Sequence, residues 1–556
     1  MVRVESSAPT AAVESQTMTG GQALVASLLR QGIDTIFALP GVQLDGAFDA
    51  LYDARAAGEV RIIHPRHEQG AAYMADGYAR ATGRIGTCFV VPGPGLLNAA
   101  AALSTAYACN QPVLCVTGQI QSDMIEFGRG LLHEIPNQLG MIRSVTKHAA
   151  RAVTPAEIPA LVDTAIRAMW DGRVRPVEVE VPPDTLFAGG EVALLAPAPG
   201  RERPAGDPEQ IREAARLLGN AESPIIFVGG GIDGAEAWEE LRELAELLQA
   251  PVIASQNGKG AISDRHYLSQ TTFAAQTLLP QADVVLAVGT RFVDPTTYPW
   301  GVKPGRTVIQ MDIDPEEVGR NYPVTVGIVA DAKAGLAALA EETAAHNRSR
   351  PSREKELSEL KQAAEERLNS VLPQAAFAGA IRRQLPDDGI FVGEMTQIAY
   401  WSNAGFPVYE PRTYFTPGYQ GTLGWGFPTS LGVKVGAPDK VVVSVNGDGG
   451  FGFALNELAT QAQHDIRSIT LVFNDSAYGN VRRIQHESFG GRTIASDLRN
   501  PDYRKLAEAF GVAGRQATTP AELEEQLAEA IAADEPTLIE IPVEAMPNPW
   551  KALALR

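Results

Sequence analysis

The sequence predicts an α/β protein of three doubly wound domains with mainly parallel sheets. Length is the first observation: 556 residues exceed what one hydrophobic core organises, and about three domains follow. The second is alternation. Short β-branched runs that stop at glycine-rich or polar turns recur between amphipathic segments, the pattern of strand–helix–strand units. The third is an internal likeness. Thr154-Pro155-Ala156-Glu157 precedes a helical segment and the strand RPVEVEVP, while Thr519-Pro520-Ala521-Glu522 precedes another helical segment and EPTLIEIP. Both tetrads are capping boxes with proline at the first helical position. A shared helix–strand ending in the first and last thirds of the chain is the mark of two homologous α/β domains.

Taken in order, residues 1–16 are expected to be a disordered tail and 17–190 the first domain. Residues 20–31 place Leu24, Val25, Leu28 and Leu29 on one helical face, and a short strand at 35–38 ends in Leu39-Pro40-Gly41, just before Val42 and Gln43. A strand at 61–64 passes through Arg66-His67-Glu68-Gln69-Gly70 into a helix carrying Met74 and Tyr78. Glu68 stands where strand gives way to helix, a position at which a carboxylate complements the helix dipole. Strands at 87–91 and 112–117 stop at Pro92-Gly93-Pro94-Gly95 and at Gly118-Gln119.

Residues 191–207, Pro/Ala/Gly-rich from Leu195 to Asp207, read as a linker. The central domain, 208–345, has strands at 224–228, 252–254, 283–288 and 307–313, the first and third meeting Gly229-Gly230-Gly231 and Gly289-Thr290-Arg291. A charged, helical connector at 346–372 leads to the third domain, 373–548, and a short tail, 549–556. In that domain a strand at 389–392 ends at Gly393-Glu394-Met395-Thr396-Gln397, and Gly421-Thr422-Leu423-Gly424-Trp425-Gly426 is a glycine-rich loop.

Composition narrows the class. Hydrophobic content of 45% and charged content of 20% are ordinary for a globular protein, and a net charge of −19 argues against nucleic acid or an anionic membrane as partner. Cys88, Cys109 and Cys115 lie in apolar stretches without metal-ligand spacing and read as buried thiols in a reducing compartment. Residues 1–17 lack the apolar core of a signal peptide and no apolar run approaches membrane-spanning length, so a cytoplasmic protein is expected.

The chemistry concentrates between Lys440 and Arg483. A strand through Val441, Val442, Val443 and Val445 breaks at Gly447-Asp448-Gly449-Gly450, and a second at 469–473 stops at Asn474-Asp475-Ser476. Open parallel sheets bind ligands at such carboxyl ends. Asp448 and Asn474 offer hard oxygen ligands suited to Mg²⁺, and Gly447, Gly449 and Gly450 let a phosphate approach backbone N–H groups.

GDG with an asparagine 26 residues beyond its aspartate (448 to 474) resembles the Mg²⁺–diphosphate motif of the thiamine-diphosphate enzyme family. RHEQGAAYMADGYARATG resembles that family's pyrimidine-domain motif, and VTGQI, VTKHA and DIDPEEVG resemble the acetolactate synthase-like and 2-oxo-acid decarboxylase group. The resemblance implies thiamine diphosphate and Mg²⁺, with the metal on the Asp448 and Asn474 side chains and the Ser476 carbonyl. It puts Thr396 and Gln397 at a second phosphate contact, Tyr478 and Gly479 beside the cofactor, and Leu423 where an apolar side chain holds the cofactor bent. Glu68 falls where a glutamate bonds the aminopyrimidine ring and promotes its imino tautomer.

The resemblance further implies an enzyme that makes or breaks C–C bonds next to a carbonyl. A 2-oxo acid would react through an enamine that is protonated or attacks an aldehyde or 2-oxo acid acceptor. Glu68 and Asp448 lie on different domains, which the family brings together from different subunits, so a homodimer or homotetramer with interfacial sites is expected. Gly128-Arg129-Gly130-Leu131-Leu132-His133-Glu134 resembles the His-bearing loop of the decarboxylases. His133 is therefore a candidate proton relay, Gln119 a further catalytic candidate, and Val42, Gln43, Asn480 and Ile484 candidate substrate contacts. Arg482 and Arg483 read as solvated surface residues or as contacts for an acidic substrate.

Two positions depart from the acetolactate synthases at their acceptor pocket: Val293-Asp294-Pro295 replaces DDR, and Arg483-Ile484 replaces Gln-Trp. FAD in the central domain stays open but is not favoured: VGTRF and DIDPEEVGR match the flavin-bearing branch, whereas its loop pattern has no counterpart between His266 and Gln281. The open alternatives are a related thiamine-diphosphate lyase or C–C hydrolase (2-hydroxyketone, acyl-CoA or diketone substrate) and a non-catalytic homologue. Intact Glu68, Asp448 and Asn474 speak against the last.

Overall fold

The computed structural model describes residues 12–198, 200–293, 301–303 and 305–553. Residues 1–11 of the expected tail, and Asp294 and Pro295 of the expected acceptor pocket, lie outside the described residues. Three six-stranded parallel sheets follow one another along the chain. The first runs Arg61–Ile63, Thr35–Ala38, Gly86–Val90, Val113–Gly118, Val177–Val181, His148–Arg151. The third runs Tyr414–Phe415, Ile390–Gly393, Val442–Gly447, Ile469–Asn474, Thr537–Pro542, Ala513–Gln516. Numbered by chain order within each domain, both are 2-1-3-4-6-5. The duplication read from the two TPAE tetrads is therefore the topology itself: each tetrad sits between the fifth strand and the sixth, its glutamate bonding back to the chain before the helix. The central sheet differs. Its order, Ser269–Gln270, Val252–Ala254, Pro224–Val228, Val284–Val288, Thr307–Asp312, Val326–Val329, is 3-2-1-4-5-6, a dinucleotide-fold order.

The first and third domains share one core. Ala71, Met74 and Tyr78 of helix Glu68–Thr82 pack with Phe427, Leu431 and Val435 of helix Gly426–Gly436. These are equivalent helices of the two repeats, each joining the second strand to the third. They touch backbone to backbone. A Cβ on Gly77 would lie 2.1 Å from the Thr429 carbonyl oxygen, and one on Gly432 would lie 1.9 Å from that of Met74. Each glycine thus covers the carbonyl three residues before the other, a close two-fold crossing that a single methyl would wedge apart.

The tail and linker differ from expectation. Ala12–Thr19 is a strand paired antiparallel with Gly189–Leu195, so residues 12–16 and 191–195 belong to a two-stranded ribbon. Burial of Val192 and Leu194 against the first domain fixes the ribbon there. The connector is helical as expected, over Glu354–Asn369, and buries Leu357 and Ala364 in the central core and Leu368 in that of the third domain. Likewise Pro549–Ala552 is a helical turn, with Leu553 buried against the third domain. No helix among the described residues is long and apolar enough to cross a membrane.

Candidate active site

In the third domain the neighbouring strands Ile390–Gly393, Val442–Gly447 and Ile469–Asn474 end side by side. Helices Gln397–Gly405, Asp448–Phe451 and Gly479–Ser488 start at or shortly beyond those ends. The β-branched runs make the strands, and polar or glycine turns stop them together. Three helix N-termini therefore gather at one edge, where helices turn their first N–H groups and the positive ends of their dipoles. Strand order reverses between Ile390–Gly393 and Val442–Gly447, the switch point where such sheets take ligands. Thr396 caps its helix by accepting the Ala399 N–H at 3.0 Å. Beside it the Gln397 side-chain oxygen is buried with no hydrogen-bond partner among the described residues; only the amide nitrogen of that side chain could donate to a phosphate.

Two of the three expected metal ligands, Asp448 and Asn474, meet at this edge, while the Ser476 carbonyl accepts the Leu498 N–H at 2.8 Å. Asp448 Oδ2 accepts the Ala477 N–H at 3.2 Å and the Asn500 amide at 2.6 Å, and the same Asn500 nitrogen donates to Asn474 Oδ1 at 2.9 Å. One small donor reaches both oxygens, so a hard cation of similar reach fits between them. Asn474 is oriented from behind by its own amide donating to Glu540 at 2.9 Å. Ser476 adopts φ +51°, a left-handed conformation costly for a serine, with its N–H on Asn474 Oδ1 at 3.1 Å. Burial, then the neighbouring Asp475, pushes the Asp448 pKa up to about 6, a cost that a bound cation reverses. Tyr478 packs where a Cβ on Gly449 would stand, and Asp475 where one on Gly479 would, so both glycines are fixed by close packing. Asn500 and Glu540 are site residues that the sequence did not suggest. They enter from a loop and from the fifth strand across this sheet, and no spacing signals either.

The first domain offers the other half. Gln43 is buried beyond the first strand, its amide donating to the Leu132 carbonyl at 3.1 Å while its oxygen meets His133 Nδ1 at 3.1 Å. Two residues expected in the pocket are thus partners across 90 positions. Gln119 is fully engaged: its amide donates to Glu180 at 3.0 Å and its oxygen accepts the Ile120 N–H at 2.7 Å. Glu180 also accepts from Gln138, whose oxygen in turn holds the Gly93 N–H. Glu68 opens its helix, as the strand-to-helix transition predicts, and accepts the Asn98 amide at 3.0 Å.

Within one chain the two domains touch through helix Glu68–Thr82, where the Tyr73 hydroxyl lies 3.4 Å from that of Thr422 and the Trp425 indole donates to Asp76 at 3.1 Å. Among the described residues, no hydrogen bond joins Glu68, His133, Gln119 or Gln43 to Asp448, Asn474 or the loops beside them. Val42, at 58% exposure, and Ile484, at 43%, face solvent in the single chain. Leu423 is half-buried in its loop. The arginine pair divides. Arg482 pairs with Asp497 at 3.0 Å, whereas Arg483 bonds Asn480 at 2.7 Å and lines a cavity of about 960 Å³. That cavity lies against the central sheet's own switch point, at Gly229-Gly230-Gly231 and Gly289-Thr290-Arg291, and extends to Glu394 and Gly421.

Comparison with known proteins gives the same division. Three family models match: thiamine pyrophosphate enzyme, N-terminal TPP binding domain, at residues 18–141; the central domain at 211–339; and the C-terminal TPP binding domain at 394–541. The chain is 34% identical to a probable acetolactate synthase large subunit of Methanocaldococcus jannaschii, over 95% of this chain and 93% of that protein. It is 35% identical to a probable 2-ketoarginine decarboxylase of Pseudomonas aeruginosa, over 95% and 94%. It is 34% identical to the acetolactate synthase large subunit of Haemophilus influenzae, over 92% of each. Likeness of this extent, on a fold that brings Asp448, Asn474 and three helix N-termini to one sheet edge, places the chain in the thiamine pyrophosphate enzyme family, within its acetolactate synthase-like group.

Proposed function

We propose that the protein is a thiamine-diphosphate- and Mg²⁺-dependent carboligase or decarboxylase of 2-oxo acids, whose active site is completed by a second copy of the chain. The observation that carries this is the meeting of the Asp448 and Asn474 oxygens at one point on the edge where the helix N-termini gather. Asp448, Asn474 and the Ser476 carbonyl would hold the cation, and the N–H groups at Gly449 and Gly450 would take the diphosphate. Held there, thiamine diphosphate would supply a thiazolium, the electron sink that loss of CO₂ from a 2-oxo acid requires. Leu423 orients it, Glu68 holds a proton at its ring nitrogen, and His133, aligned by Gln43, moves a proton on the substrate side.

A shared site is supported by the lack of any hydrogen bond, among the described residues of one chain, between Glu68, His133, Gln119 or Gln43 and Asp448 or Asn474. Apolar side chains stand exposed around both sets: Val42, Leu97 and Leu132 on the first domain, Phe453, Val481 and Ile484 on the third. A second copy that covers these would also bring Glu68 of one chain to Asp448 of the other. The resemblance to acetolactate synthases and to a 2-oxo-acid decarboxylase supports the substrate class.

Product analysis with a panel of 2-oxo acids, with and without aldehyde acceptors, tests this reading. The expected result is CO₂ release that requires both thiamine diphosphate and Mg²⁺, with an aldehyde or 2-hydroxyketone as co-product. No turnover of any 2-oxo acid by the cofactor-loaded protein contradicts it. The central cavity favours one addition, a nucleotide at the central switch point. A visible absorption spectrum of the purified protein decides whether that nucleotide is a flavin.

A further inference from the structure

We propose that Glu394 is a positioning residue that locks the Leu423 loop onto the turn at 447–450, so that one buried carboxylate sets both the bend of the cofactor and the seat of its diphosphate. This rests on the proposed thiamine-diphosphate function. Glu394 follows strand Ile390–Gly393 directly and is 1% exposed. Its two oxygens are used by two different glycines of the loop: Oε1 accepts the Gly424 N–H at 3.1 Å and Oε2 accepts the Gly426 N–H at 2.8 Å. The same Oε1 lies 1.6 Å from where a Cβ on Gly450 would be, so the glycine of the diphosphate turn is required by this carboxyl group. One side chain thus fills the space between the loop that carries Leu423 and the turn that carries Asp448.

The chemistry of the group fits clamping and does not fit phosphate contact. A carboxylate repels a diphosphate, whereas it is the one side-chain group that accepts hydrogen bonds through both of its oxygens. With no cation beside it, burial pushes the Glu394 pKa up to about 7. Such a group is costly to keep, and the two glycine N–H bonds are what it does. On its far side the loop is held by the first domain: the Trp425 indole donates to Asp76 at 3.1 Å, and Asp76 belongs to the helix that Glu68 opens. Held from two sides at Gly424, Trp425 and Gly426, the loop presents Leu423 at a fixed height.

Glu394→Gln tests this with no change in volume, since an amide accepts at one end only and sets its NH₂ against one glycine N–H. Hydrogen–deuterium exchange of the cofactor-free protein should show residues 421–426 exchanging about tenfold faster, the effect of one lost buried hydrogen bond. The melting temperature should stay close to wild type. Thiamine diphosphate affinity, measured with Mg²⁺ present, should weaken by about the same factor. Gly450→Ala, which drives a methyl into Oε1, should weaken affinity likewise. Unchanged exchange in 421–426, or unchanged affinity, overturns the proposal. So does a general fall in melting temperature with affinity intact, which would make Glu394 a core residue only. If Glu394→Gln does not fold, Glu394→Asp, which keeps the acid but draws it back, decides by the same two measurements. Failure of the wild type to bind thiamine diphosphate refutes the proposed function instead, and the exchange experiment still reads the clamp.

Discussion

Replacing Glu68 by glutamine removes a charge while keeping the side chain's shape at the first position of helix Glu68–Thr82. The one side-chain hydrogen bond of Glu68 among the described residues, from the Asn98 amide at 3.0 Å, can be accepted by the new amide oxygen. What is lost structurally is the carboxylate's interaction with the helix N-terminus, about 0.3–1 kcal/mol. Cofactor affinity should hold, because Asp448, Asn474 and the diphosphate turn belong to the third domain. The proton that the carboxylate would share with the cofactor's ring under the proposed function is a different matter. Removing a positioned acid–base group costs about 10²–10⁴ in rate. NMR of C2 hydrogen–deuterium exchange on bound thiamine diphosphate, beside a melting curve, separates the two effects. Expected are an almost unchanged melt and exchange slowed by at least about a hundredfold. Near-normal exchange with a lowered melting temperature would refute the reasoning and leave Glu68 as a helix-start carboxylate.

Three further outcomes are expected. Asp448→Ala should abolish Mg²⁺-dependent cofactor binding in a calorimetric titration, since it removes the only charged side chain among the three expected ligands; unchanged affinity would move the metal elsewhere. Gly432→Ala should destabilise the protein by about 1–3 kcal/mol or more in denaturant unfolding, because its methyl would lie 1.9 Å from the Met74 oxygen; a neutral effect would mean that the helix pair yields freely. At the contact of first and third domains, His464 Nε2 accepts the His64 N–H at 3.2 Å, which needs the neutral ring. Burial, and after it His64 and nearby arginines, lowers the His464 pKa from 6.5 to about 4. The unfolded chain therefore takes the proton first, and this contact's stability is full above pH 6.5 and lost as pH falls towards 4. Melting temperature should drop across that window, and less steeply in His464→Gln; equal slopes would count against it.

How far the sequence could be read depended on where each signal was stored. The inner strands were legible because burial on both faces demands β-branched runs, as at Ile469–Asn474. Edge strands such as His148–Arg151 and Ala513–Gln516 were not, since HAAR and AGRQ are only partly buried and become strands by pairing with a neighbour. The ribbon at Ala12–Thr19 was missed for the same reason: its partner is more than 170 residues away along the chain. At the site, Asp448 and Asn474 were legible through spacing, because consecutive strands of a parallel sheet place their ends together. Asn500, Glu540 and Glu394 act through buried side-chain bonds between distant segments, which leave no periodicity. Gln119 was legible as a position but not as a residue whose amide is already spent on Glu180 and Ile120.

The central claim is a thiamine-diphosphate site built from Glu68 of one chain and Asp448 of another, and mixing two inactive variants tests it most directly. Glu68→Gln and Asp448→Ala are co-expressed in equal amounts, and C2 proton exchange is measured with thiamine diphosphate and Mg²⁺. In a hybrid dimer with shared sites, one site carries both substitutions and the other carries neither. Random pairing then restores about a quarter of wild-type activity. A site contained within one chain would always carry a substitution, and the mixture would remain as inactive as its parents.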